Sequence, residues 1–228
     1  MKKITFFILM LVLSASISKA QKAEFSVGAD LVSSYVWRGA YQTGAAIQPA
    51  VDFSISGFLL SAWGSVPAFG IDKEIDFIAA YEIAGLSLAI TDYWCVDESS
   101  FNYFSYSDET SHVLEATIGY ELPIEKFPLS ISLNTMFAGA DYKADGKRAY
   151  STYISFDYPF SVKDIDLSVS LGLTPVEGGY ADEFSVVNLG LRAAKELKIT
   201  DSCSLPVFGE IIINPKYENV FFVFGISL

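Results

Sequence analysis

Apolar and polar residues alternate one by one along almost the whole chain, and no other feature restricts the fold so strongly. Phe25, Val27, Ala29 and Leu31 interleave with Ser26, Gly28 and Asp30. Ile75, Phe77, Ala79, Tyr81 and Ile83 interleave with Glu74, Asp76 and Glu82. Leu114, Ala116, Ile118 and Tyr120 interleave with Glu115, Thr117 and Glu121, and Ile165 to Leu173 with Asp166, Ser168 and Ser170. A period of two is the strand signature, and it places one apolar face along each strand. The pattern predicts about twelve strands, near 23–38, 46–57, 58–67, 73–84, 86–96, 111–122, 129–142, 148–160, 164–174, 183–194, 202–213 and 219–228. Each is close to the ~9–11 residues that cross a bilayer when tilted.

The connections differ in length in a regular way. Tight turns fall at Gly57, Gly85, PIEKFP (123–128), Ser161–Val162–Lys163 and KELKITD (195–201). Longer segments, GAYQTGA (39–45), DESSFNYFSYSDET (97–110), ADGK (144–147) and PVEGGYAD (175–182), fall between them. Short turns at one end and long loops at the other are the outer-membrane pattern, and an even strand count leaves both termini on the periplasmic side. The last stretch, NVFFVFGISL, keeps one apolar face up to Leu228. Such a strand must pair with the first one, because an open edge cannot stand in lipid. The predicted fold is all-β: a transmembrane antiparallel up-and-down β-barrel in a single domain, 21–228.

The N-terminus points to export. Met1-Lys2-Lys3, the apolar run 4–13 and the small residues Ser18 and Ala20 read as a signal peptide over 1–20, too short in its apolar part to span. Three of the 15 basic residues and none of the 27 acidic ones lie there, so the mature charge is 12 − 27 = −15. That balance argues against nucleic acid as a partner, since phosphate binding needs a basic face. Aromatics reach 15% and mean hydropathy +0.36, yet no later apolar run is long enough for a spanning helix. A soluble β-sandwich would also alternate, but its apolar faces would bury against each other. Tyr35, Trp37, Tyr81, Tyr93, Trp94, Tyr120, Tyr142, Tyr150 and Tyr158 fall near predicted strand ends, where barrels carry interfacial girdles.

The stretch DLVSSYVWRG (30–39) reads as the end of the first strand. If Tyr35 and Trp37 face lipid, Val36 and Arg38 face the lumen and Gly39 opens the first outside loop. The same parity turns Asp30, Asp52, Glu74, Asp76, Glu115 and Glu210 inward, with all but Asp30 in the middle or outer half. Arg192 points inward near the periplasmic end, and Trp63 and Tyr153 also point in. These charges are either a salt-bridge lattice that fills the lumen or a constriction that selects ions.

The same residues carry a family resemblance. D-x-x-S-x-Y-x-x-R-G-x-x-Q, here Asp30, Ser33, Tyr35, Arg38, Gly39 and Gln42, resembles the opening motif of the TorF-like porins, also known as the Gcw_chp family. GFLLSAWGS (57–65), KEIDFIAAYE (73–82), TDYW (91–94) and Glu115 follow in that family's order. The resemblance implies an outer-membrane barrel with a pore role and no catalytic residues. TDYWCVDE departs from the Tyr/Pro-rich loop usual there.

Cys95 and Cys203 are expected at opposite ends, too far apart for the ~7 Å Cα limit of a bridge, and so as free thiols. His112 beside Ser111 is a weak catalytic sign, because strand neighbours point to opposite faces. The expectation is no enzyme. No metal and no cofactor is expected, although Asp97, Glu98, Asp108 and Glu109 are acids of a type that can hold Ca²⁺. Phe101, Tyr103, Phe104 and Tyr106 are expected to pack within their own loop. Two functions stay open: a cation-leaning passage for ions or small solutes, or a closed barrel with a structural or binding role through its loops. Outer-membrane lipid is the expected surrounding, and the oligomeric state is open.

Overall fold

The computed structural model describes residues 22–96, 102–106, 110–201 and 203–228. The expected signal segment, 1–20, lies outside the described residues. Within them the alternation becomes fourteen strands and no helix: β1 (Glu24–Val32), β2 (Tyr35–Trp37), β3 (Ala40–Thr43), β4 (Ala46–Ile55), β5 (Phe58–Pro67), β6 (Lys73–Ile83), β7 (Leu86–Val96), β8 (His112–Glu121), β9 (Ser130–Gly139), β10 (Thr152–Val162), β11 (Ile165–Thr174), β12 (Ser185–Thr200), β13 (Cys203–Asn214) and β14 (Asn219–Ser227). All but β2 and β3 form one antiparallel twelve-stranded sheet that closes on itself, each wall strand beside the next.

Closure depends on the last residues. Asp30, Leu31 and Val32 pair with Ser227, Ile226 and Gly225, and Leu228 exchanges both backbone bonds with Ala29 at 2.9 and 3.2 Å. A closed ring leaves no row of unpaired N–H and C=O groups.

Cross-strand partners share a face, so the register assigns each wall residue to a side. Phe53, Leu60, Ala79, Ile90 and Ala116 form one exterior row, and Trp63, Asp76 and Tyr93 one interior row. The exterior is an apolar surface covered by no second sheet: Phe25 is 69% exposed and Phe222 66%. A sandwich would have buried both. Two-residue turns at Ser56–Gly57 and Ala84–Gly85 hold both residues at positive φ, the type I′ geometry that matches strand twist. These turns share one end with the termini, here the terminal end. The segments 33–45, 68–72, 140–151, 175–184 and 215–218, with the described residues between β7 and β8, share the other, the loop end.

Three sequence expectations need correction. The first strand stops at Val32 rather than continuing to 38, because the chain then turns into the lumen as the β2–β3 hairpin. Ser33 keeps a last tie to the wall through bonds to the Phe224 backbone at 2.9 and 3.0 Å. KELKITD is mostly strand: β12 runs to Thr200, which pairs with Cys203 past an irregularity near Lys198. The aromatic girdle holds for Tyr81 and Tyr120 on the exterior near the terminal end. It fails for Tyr35, Trp37 and Tyr93, which lie in the lumen, and for Trp94, which is exterior but buried. Cys95 and Cys203 sit near opposite ends of their barrel and are unpaired.

The buried side chains concentrate in the loop half of the lumen. Val32, Ala46, Phe208, Ile212 and Val223 form one cluster there, and Tyr153, Tyr180, Ala181 and Val187 another.

Candidate functional site

The β2–β3 hairpin is the centre of the site. Its turn is Arg38–Gly39, at φ 50° and 79°, again the two-residue type I′ form. A β-carbon on Gly39 would lie 1.9 Å from the Val187 carbonyl oxygen, so only glycine fits at the tip. Arg38 adopts the same left-handed backbone at a cost of order 1–3 kcal/mol, which the surrounding contacts must offset.

Those contacts cross the lumen. Arg38 donates through Nη1 and Nη2 to the two Glu115 carboxylate oxygens at 2.5 and 2.8 Å, and Tyr93 donates to the same carboxylate at 3.0 Å. Nη1 also meets the Tyr180 hydroxyl. The guanidinium lies over the rings of Trp37 at 4.4 Å and Tyr153 at 4.6 Å. The Glu115 side chain is 1% exposed and that of Arg38 12%. A forked guanidinium matched to a carboxylate and stacked on rings is the geometry that makes a buried pair tolerable. Burial opposes the charge on Arg38, but the bonds to Glu115 outweigh it and raise its pKa above the ordinary arginine value.

The rest of the hairpin touches the wall in most directions. Tyr35 packs on Trp63 of β5 at 5.5 Å and Trp37 on Tyr93 of β7 at 5.3 Å. Val36 packs against the cluster around Phe208, Ile212 and Val223, and Asn214 donates to the Gly39 carbonyl at 3.1 Å. Burial, and then the Glu74 charge, push the Tyr35 hydroxyl well above the ordinary tyrosine range, so it stays protonated. The hairpin is therefore a plug across the loop half of the lumen.

The inward charges fall into separate groups. Arg38 and Glu115 meet as described. Arg192 and Glu210 are cross-strand partners at 3.6 Å, with the Arg192 guanidinium 3.5 Å from the Phe208 ring centroid. They share one level, so Arg192 is not at the terminal end below Glu210. Glu74 and Asp76 sit two residues apart on the inward face of β6. Asp52 lies in the terminal half of β4 rather than the middle or outer half, with the Ser26 hydroxyl donating to it at 3.3 Å. Asp30 sits opposite Gln48. Neither Asp30 nor Asp52 has an ion pair in the described residues.

Sequence reasoning missed Tyr93 and Tyr180 as lumen residues and Asp92 altogether. Asp92 shares its parity with Leu88, Ile90 and Trp94, so it points outward, and that parity was the available signal. It accepts from His112 Nδ1 at 2.8 Å and from the Tyr103 hydroxyl at 2.8 Å. His112 Nε2 bonds the Tyr103 carbonyl at 2.6 Å, and Tyr106 stacks on the imidazole at 4.3 Å. Both ring nitrogens are thus held against oxygen atoms, one of a side chain and one of the backbone. His112 is 1% exposed. Tyr103 packs with Phe104 and Tyr106 as the expected loop cluster, but the cluster is folded onto the barrel exterior. Phe101 and the acids Asp97, Glu98, Asp108 and Glu109 lie outside the described residues. Among those described, no group of three or more His, Cys, Asp or Glu side chains is placed to hold a metal ion.

No curated protein and no solved structure matches this chain. A family model does, over residues 17–203, which is most of the length and includes the hairpin, Glu115 and the Asp92–His112 pair. The chain belongs to the Gcw_chp family, bacterial proteins of unknown function.

Proposed function

We propose that this is an outer-membrane barrel that passes small cations or solutes through a lumen closed at rest by its own hairpin. The observation that carries this is the Arg38–Glu115 bridge, which ties the hairpin tip to the wall strand β8 across the lumen. An exposed apolar exterior on a closed ring supports lipid as its surrounding, with both termini periplasmic. A twelve-stranded barrel is narrower than the ~16–18-stranded water-filled porins, so one hairpin is enough to occlude it. Inward acids favour cations over anions. Catalysis has little support: both His112 ring nitrogens are bound to Asp92 and a backbone carbonyl, which leaves neither to activate a hydroxyl.

Planar-bilayer recording tests the proposal, comparing the wild-type chain with one in which a short Gly-Ser link replaces residues 34–44. The expected result is a near-silent wild type and steady, cation-preferring steps from the shortened chain. Large steady steps from the wild type would show that the hairpin is no plug. Silence from both, with both folded, would leave a closed scaffold.

A further inference from the structure

The barrel exterior carries a cavity of about 210 Å³ at the loop end of β8 and β9, lined among others by Tyr106, Leu114, Ala138, Gly139, Tyr142 and Arg148. Leu114 pairs with Asp92 and shares its outward face, so the cavity opens on the side that the lumen does not reach. Tyr142 and Arg148 form an isolated antiparallel pair within 140–151. The turn between them is closed by backbone bonds from Lys143 to the Lys147 carbonyl at 2.8 Å and from Gly146 to the Lys143 carbonyl at 2.9 Å. Arg148 donates from Nη1 to the Gly139 carbonyl at 3.0 Å and from Nη2 to the Tyr142 hydroxyl at 3.3 Å, and its guanidinium lies 5.0 Å from the Tyr142 ring centroid. These bonds use two of the five guanidinium N–H donors. The Tyr142 hydroxyl accepts one of them, and its own proton goes to no acceptor among the described residues. The neighbouring Lys143 and Lys147 each pair with an acid, at 3.0 and 2.7 Å, whereas Arg148 has no ion pair among the described residues. Toward the terminal end the same outward face continues through Phe137 and the cross-strand partners Ile118 and Leu133, all exposed.

We propose that Arg148 and Tyr142 bind the phosphate of a lipid headgroup whose acyl chain lies along Leu114, Ile118 and Leu133. A guanidinium held in place by a ring and a carbonyl presents its remaining donors as a fork, the geometry that fits phosphate oxygens. The Tyr142 hydroxyl adds a third donor at the same point. In a chain whose net charge is −12, an arginine without a carboxylate partner is a local complement for an anion. The apolar tract below it suits an acyl chain and offers nothing to free phosphate. The site rests on lipid as the barrel's surrounding but not on an open lumen, so a silent barrel and a conducting one bind alike.

Native mass spectrometry of the folded full-length mature chain in detergent micelles tests this, with phosphatidic acid, diacylglycerol and inorganic phosphate as separate titrants. Retention of phosphatidic acid is expected at concentrations at least tenfold below those needed for diacylglycerol, which lacks the phosphate, or for inorganic phosphate, which lacks the chains. Arg148→Gln should weaken phosphatidic acid at least tenfold and Tyr142→Phe several-fold. Lys195→Gln, which removes a cation already paired with Asp164 at 2.7 Å, should leave it unchanged. Folding is checked by the heat-dependent shift in gel mobility, and if Arg148→Gln does not fold, Tyr142→Phe carries the test. Equal retention of diacylglycerol, equal retention of inorganic phosphate, or phosphatidic acid binding untouched by Arg148→Gln and Tyr142→Phe would each overturn the proposal. A chain that folds and stays monodisperse without detergent would overturn the lipid surrounding, and the site with it. Loss of the phosphatidic acid preference in a chain that needs detergent would overturn the site alone.

Discussion

The two halves of the lumen share one wall, one register and one parity, yet one is filled and the other is not. In the loop half, inward positions carry Trp63, Tyr93, Glu115 and Tyr153, and the hairpin adds Tyr35, Val36, Trp37 and Arg38 between them. In the terminal half the same face carries Ser61, Ser87, Gly119, Ser132, Ser155 and Ser168, small groups that do not reach the far side. Their charges, Asp52, Glu82, Glu121 and Asp157, are half-buried or exposed. Closing this barrel is thus a task of one inserted hairpin, and the wall alone leaves the terminal half open.

Two lumen ion pairs, one enclosed by the hairpin and one more exposed, offer the largest test of what the plug encloses. Glu115→Ala strands a buried Arg38 and should cost ~3–5 kcal/mol of unfolding free energy. Glu210→Ala leaves Arg192, 37% exposed in its side chain, free to reach water and should cost only ~0–1 kcal/mol. Urea unfolding in lipid vesicles measures both, and equal losses would break the comparison. Gly39→Ala comes next. Its β-carbon would strike the Val187 carbonyl and its φ would be strained, so the tip should lift at a cost of ~1–3 kcal/mol, with wild-type-silent bilayers beginning to flicker.

A smaller effect is expected outside the lumen. His112→Phe keeps a ring but removes the imidazole bonds to Asp92 and the Tyr103 carbonyl, at ~1–3 kcal/mol. Faster proteolysis within 102–110, with unchanged conductance, would place this contact in loop anchoring alone. The smallest effect belongs to Lys216, which bridges Asp182 and Glu183 at the loop rim, at 2.5 and 3.2 Å. Lys216 holds the Asp182 carboxyl below the usual carboxylate range. A lowered carboxylate pKa contributes stability above its unfolded value of ~3.9 and loses it as pH falls through the lowered value. Lys216→Ala should therefore lower neutral-pH stability slightly, and variant and wild type should converge as pH falls through the lowered value, which pH-dependent melting reads.

Much of the barrel was legible because a strand's face is a local property. Phe53, Asp52 and Ser54 declare their sides from their neighbours alone, and ten of the twelve wall strands lie close to where alternation puts them. The candidate site was legible only in part. Glu74, Asp76 and Glu115 turn inward by parity, and Trp63 and Tyr153 with them. Asp92 was readable in principle, since it breaks an outward series of Leu88, Ile90 and Trp94. What makes it tolerable there is Tyr103 and His112, brought in by a fold of the loop that no local pattern records.

The stretch DLVSSYVWRG marks the boundary. By itself the sequence determined that its residues alternate, that Arg38 belongs inside, and that the strand pattern ends at Gly39. Only the tertiary structure decided that the chain leaves the wall after Val32 and carries Tyr35 and Trp37 inward as well. A hairpin in the lumen and a strand in the wall show the same period of two. The choice between them rests on partners far along the chain, Glu115 at 77 residues from Arg38 and Tyr180 at 142. Period is set between neighbours, whereas the environment each face meets is set by the closed ring.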